Sequence, residues 1–95
     1  MRYEWDEEKD KENRRKHKMS LSAGIAVFDD PYRLEAHDGR EAYGEDRFIT
    51  IGMDKDLDTL YVCYTMRSSG NATRLISVRL AERHERRLYE QQKMW

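Results

Sequence analysis

A chain of 95 residues, 39% charged and 38% apolar, makes one small domain, residues 1–95, with a thin core. A single cysteine, Cys63, excludes an internal disulfide, and no run approaches the roughly 18 apolar residues of a membrane span. The opening residues are polar, so no secretory leader is read and a cytoplasmic protein is expected.

The first helix is expected to start at Asp6, a good N-cap, with Glu7 and Glu8 in its first turn and Arg14, Arg15, Lys16, His17 and Lys18 crowding its last. It carries no apolar residue from Asp6 to Lys18. Either Trp5 pins one end and Met19 and Leu21 the other, or Lys9, Asn13 and His17 face a ligand or a subunit. A second helix over residues 22–28 places Leu21, Ile25 and Phe28 on one stripe, and Asp29-Asp30-Pro31 stops it. Strands follow at residues 32–37, 47–53, 59–67 and 73–79, with a loop at 38–46 and turns at 54–58 and 68–71. The last three strands form an antiparallel meander. A helix over residues 81–93 ends the chain. The expected fold is α+β: two short N-terminal helices, an antiparallel sheet of about four strands, and a C-terminal helix.

The formal charge of −1 conceals an asymmetry. From Thr59 onward seven Arg and Lys face three Glu; before it eleven basic side chains face sixteen acidic ones. A basic strand-and-helix end suits a phosphate-bearing partner, because Arg holds phosphate oxygens through a planar fork. Strand parity puts Leu60, Val62, Tyr64, Ile76 and Val78 toward the core. Tyr61, Cys63, Thr65, Arg67, Leu75, Ser77 and Arg79 then share the uncovered face. Arg74 has the other parity and is expected to pair with an acid on a helix. Cys63 reads as a small buried hydrophobe.

Metal patterns fail. Asp54-x-Asp56-x-Asp58 opens like a calcium loop, but Thr59 and Thr65 occupy its Gly and Glu positions. His84-Glu85 meets Leu88 where a zinc helix needs its second His. No metal or other cofactor is expected. What remains are acid–base groups among arginines, which suffice for RNA cleavage. A base removes the 2′-OH proton, the 2′-oxygen attacks phosphorus, and an acid protonates the departing 5′-oxygen. His17, His84, Glu82, Glu85 and Tyr89 are the candidate acid–base groups, His17 first because imidazole titrates near neutrality, with Glu85 and Tyr89 next. Arg67 and Arg79 are expected on one phosphate, with Lys9, Arg74 and Arg83 as further RNA contacts. Each has a structural alternative: Tyr89 can pack the last helix on the sheet, and Glu85 can pair with arginines one turn away on its own helix.

Glu4-Trp5-Asp6-x-x-Lys9-x-x-x-Asn13-x-x-Lys16-His17, Val27-Phe28-Asp29-Asp30-Pro31 and Glu45-x-Arg47-Phe48-x-x-Ile51-Gly52 recur in order along the chain. Tyr64-Thr65-x-Arg67, Arg74-x-Ile76-Ser77-x-Arg79-x-Ala81 and Glu85-Arg86-x-x-Tyr89-Glu90 follow. Together they resemble the BrnT family of type II toxin–antitoxin toxins. The resemblance implies a ribonuclease with a RelE-like fold, neutralised by a BrnA-type antitoxin. The ribbon–helix–helix part of that antitoxin would carry the complex to operator DNA. The chain departs from the pattern at Lys18, where the family usually has Gly, at Val78, a common Ala, and in residues 53–58, which lack Ser and Gly character. The thin core and the terminal Trp5 and Trp95 add the expectation of a homodimer within the complex. The reading from another class is a non-catalytic basic module for an acidic protein or DNA.

Overall fold

A computed structural model describes residues 2–38, 46–67 and 70–93. Its elements are β1 (Arg2–Glu4), α1 (Glu7–His17), a 3-10 helix (Leu21–Asp29), β2 (Leu34–Asp38), β3 (Arg47–Met53), β4 (Thr59–Arg67), β5 (Ala72–Leu80) and α2 (Arg83–Gln91). The interior of the expected loop at 38–46, residues 68–69 of the expected turn, and Trp95 lie outside the described residues.

The α+β class holds, with corrections. The sheet has five strands in the order β1-β5-β4-β3-β2. It is mixed: β1 pairs parallel with the start of β5, and the other pairings are antiparallel. A three-residue strand has no period to read, which hid β1. β2 begins at Leu34 because the preceding residues are used in a turn, where Asp30 accepts the N–H of Tyr32 on its side chain and that of Arg33 on its carbonyl.

The second helix is 3-10 rather than α. Three residues per turn align positions i, i+3 and i+6, so Leu21, Gly24 and Val27 are the buried face instead of Leu21, Ile25 and Phe28. Gly24 sets the approach. A Cβ there would stand 2.8 Å from Val78 Cγ2 and 3.2 Å from Val62 Cγ2, so only glycine lets the helix lie this close to the sheet. Leu21 and Val27 thus join Leu60, Val62, Tyr64, Leu75 and Val78 in one core.

A bulge in β5 revises strand parity. Cys63 pairs with Ser77 but Tyr64 pairs with Leu75, so Ile76 is the extra residue. Cross-strand partners share a face. Leu75, expected to point away, is therefore fully buried in the core, and Ile76 joins the opposite face. Arg74, opposite Thr65, moves to that same face, and its acid is Glu4 on β1, 3.1 Å away, not one on a helix.

The turn between β3 and β4 is held by the first of its alternating aspartates. Asp54 Oδ1 accepts the backbone N–H groups of Asp56 and Asp58, each at 2.9 Å.

Asp6 caps α1 as expected. Lys18 closes it at φ 60°, ψ 27°, the left-handed region that favours glycine. Relief of that strain exceeds the loss of the 3.4 Å contact from Lys18 Nζ to the Arg15 carbonyl. Lys18→Gly should raise stability by about 1 kcal/mol, read as a higher Tm in thermal denaturation.

Candidate functional site

The helix without apolar residues is held by two buried polar side chains and its ends. Asp10 accepts the N–H of Leu21 at 2.7 Å and pairs with Arg14 at 3.0 Å. Asn13 donates to the carbonyls of Met19 and Val78 at 2.9 and 2.8 Å, and accepts the N–H of Val78 at 3.0 Å. β1 covers only residues 72–74 of that edge of β5. Asn13 satisfies Val78 further along it, acting as a substitute strand. Trp5 and Met19 pack on the core at the two ends of the helix.

This anchoring swings the next residues of α1 over the sheet. Lys9, Glu12, Asn13, Lys16 and His17 line a cleft of ≈ 210 Å³ with Arg47, Cys63, Ile76 and Ser77. Lys16 is paired with Glu12 at 2.6 Å, leaving the cleft net cationic. His17 also borders a second hollow with Arg79, Leu80 and Glu82, so its imidazole stands where the two meet. Arg47 is the site residue that sequence reading left aside. The β3–β4 register carried the signal: Phe48 lies opposite Tyr64 on the core side, which turns Arg47 to the face of Cys63 and Thr65.

Arg79 and Glu85 form a two-armed pair. Arg79 Nη1 and Nη2 donate to Glu85 Oε1 and Oε2 at 2.8 and 2.9 Å, and Glu85 Oε1 also accepts the Glu82 N–H at 2.7 Å. The guanidinium lies 4.0 Å over the Tyr61 ring. Burial pushes the Glu85 carboxyl up, but the Arg79 fork and the Glu82 N–H outweigh it and hold the group below its usual range. Arg79 therefore spends its fork on Glu85, which ties the first turn of α2 to the sheet.

Tyr89, one turn beyond Glu85, gives its hydroxyl proton to Asp30 Oδ2, which also accepts the Met53 N–H. Burial and the Asp30 carboxylate push the Tyr89 phenol up to about 12. That bond ties α2 to the end of the 3-10 helix. The expectation that Arg67 and Arg79 meet on one phosphate does not fit. Arg67 lies six residues along β4 from Tyr61, the partner of Arg79, or roughly 20 Å. Arg67 instead stands near Arg2, across Ala72, at the end of the sheet where Arg74 pairs with Glu4. Arg83 is exposed on the first turn of α2.

Among the described residues, Glu82, His84 and Glu85 offer ligand atoms within 4.8 Å of one another. The Glu85 oxygens already serve Arg79 and the Glu82 backbone, so the geometry fits an ion pair better than a cation site. No helix among the described residues is long and apolar enough to cross a membrane.

The family model described as "Ribonuclease toxin, BrnT, of type II toxin-antitoxin system" matches residues 5–85. A search of curated proteins finds no match. Among solved structures, the chain is similar to the crystal structure of the Brucella abortus ribonuclease toxin BrnT. Identity is 23% and the TM-score 0.59, over 87% of this chain and 99% of that one, a likeness of fold.

Proposed function

We propose that this chain, which belongs to the BrnT family of ribonuclease toxins of type II toxin–antitoxin systems, is an endoribonuclease that cleaves RNA in the cleft beneath α1. The observation that carries this reading is the placement of His17. It borders both a hollow lined by Lys9, Lys16 and Arg47 and one lined by Arg79 and Leu80.

A phosphate seated in the cleft would meet Lys9, Arg47 and Lys16, whose charges offset the extra negative charge of a phosphorane. His17 exchanges the proton. The 2′-OH loses its proton, the 2′-oxygen bonds to phosphorus, and the P–O5′ bond breaks as O5′ is protonated. The products are a 2′,3′-cyclic phosphate and a 5′-hydroxyl. The Ser77 hydroxyl in the cleft adds a donor for a non-bridging oxygen. Glu85 and Arg79 are assigned to positioning, because each occupies the other. Tyr89 acts at one remove, by fixing α2. Arg67, Arg74 and Arg83 are assigned to the RNA backbone away from the scissile bond.

Side chains carry every proton and charge in this scheme. Purified protein with RNA in EDTA should therefore yield fragments with 2′,3′-cyclic ends. RNA left intact with or without added divalent ions would favour the non-catalytic module instead.

The partner of a type II toxin is an antitoxin, here proposed to be of the BrnA type and to cover the cationic cleft with acidic and apolar groups. Co-expression should abolish cleavage. The pair, rather than this chain alone, is proposed to bind operator DNA, and to contain two copies of this chain. The fold is proposed as a RelE-like variant.

A further inference from the structure

The sheet face opposite the cleft carries a hollow that the cleavage scheme does not use. Tyr3, Phe28, Arg33, Glu35, Tyr64, Met66 and Thr73 line it, with a volume of ≈ 410 Å³, room for a nucleobase and its ribose. Three aromatic rings meet there. Phe28 lies 5.4 Å from Tyr3 and 5.1 Å from Tyr64, tilted and edge-on respectively, while buried Tyr64 already stacks on Phe48, so Tyr3 and Phe28 are the rings left for a base. Met66 is exposed beside them. At the rim Arg33 Nε donates to Glu35 Oε1 at 2.8 Å, and Arg33 Nη1 donates to the Asp30 carbonyl at 3.1 Å.

We infer that this hollow is a guanine-binding subsite for single-stranded RNA, an inference that rests on the ribonuclease reading. Unpaired bases are held by stacking on aromatic and guanidinium planes and by bonds to their edges. Guanine presents N1–H and N2–H as adjacent donors, which one carboxylate accepts together. Adenine offers only its N6 amino group as a donor on that edge, and cytosine only its N4 amino group. Glu35 supplies the carboxylate and Arg33, bonded to it, fixes its orientation. Guanine also offers O6 and N7 acceptors to a guanidinium. The register agrees: Glu35 lies opposite Thr50, and Thr50 opposite Val62, on the sheet face of Tyr64. The exposed arginines Arg2 and Arg67 stand at the strand ends on the cleft face, where an RNA strand running from that face to the other would pass. The subsite would thus read a base several nucleotides from the bond cleaved in the cleft.

The test uses nucleosides without phosphate, so that the cationic cleft has nothing to attract. Guanosine, adenosine and cytidine are titrated into the full chain and followed by NMR shifts of the Met66 methyl and the Thr73 and Glu35 amides. The expected result is saturable shifts at these positions with guanosine, at least tenfold weaker binding of adenosine and cytidine, and about tenfold weaker guanosine binding in Glu35→Gln. Glu35 is exposed, so this variant should keep the fold, read by an unchanged Tm. Equal binding of the three nucleosides, shifts confined to the Lys9–His17 cleft, or no binding would overturn the inference. So would an antitoxin that protects these residues while nucleosides leave them untouched, which would mark a protein-binding surface. None of these outcomes depends on cleavage, so the EDTA assay judges the ribonuclease reading separately.

Discussion

Asn13→Ala should be the most destabilising surface-helix substitution in this protein, costing about 4 kcal/mol and lowering the urea midpoint accordingly. The amide makes three hydrogen bonds and is 4% exposed. Truncation leaves both the N–H and the C=O of Val78 buried without their partner, and each orphaned group costs roughly 1–3 kcal/mol. It also releases the Met19 carbonyl and the end of α1, which has no apolar stripe to hold it. Asn13→Asp should fare no better. It keeps the acceptor for Val78 N–H but turns a carboxylate oxygen toward two carbonyls. A small loss in Asn13→Ala would mean that Asp10, Trp5 and Met19 suffice to secure the helix.

Arg79→Ala should cost about 3 kcal/mol of stability, because it strands the Glu85 carboxylate, 4% exposed, with only the Glu82 N–H. An arginine that served only to hold substrate would be lost without a change in Tm, so denaturation separates the two roles. The same pair sets a pH dependence. The folded carboxyl titrates below the unfolded value of 4.5. Its contribution is therefore full above pH 4.5 and disappears as the pH falls through the lower folded value. Glu85→Gln removes this acid limb, so the stability gap between it and the native chain should narrow toward pH 3. A gap that stays constant between pH 7 and 3 would show that the pair gives no such linkage.

Much of the architecture was legible from pattern. The Asp6 cap, the cationic last turn of α1, the bounds of β3 and β4 and the turn at 54–58 all follow from local chemistry that the tertiary structure leaves alone. The failures share a cause: contacts distant in sequence override the local period. Gly24 admits Val78 and Val62, which favours a 3-10 face that a 3.6-residue stripe does not describe. The bulge at Ile76 exchanges the faces of Leu75 and Arg74, and alternation alone cannot announce an extra residue. In the site, Lys9, Asn13 and His17 were legible as one stripe of α1, and they do line one cleft. Asn13 proved to be the anchor of that stripe rather than a ligand contact. Arg79 and Glu85 were legible as neighbours in a basic region, but their closure on each other needed the turn from β5 into α2.

The proposed chemistry stands on His17, and single-turnover cleavage of an RNA oligonucleotide by the native chain and by His17→Gln tests it most directly. His17 is exposed and the amide keeps part of its hydrogen bonding, so the variant should retain the native Tm. With saturating protein, in EDTA, its cleavage rate should fall about 10²- to 10⁴-fold, the span that a positioned acid–base group supplies. Lys9→Ala should mainly weaken RNA binding and its salt dependence. Cleavage by a folded His17→Gln chain at the native rate from pH 5 to about 9 would contradict the account and place the acid–base work outside the cleft.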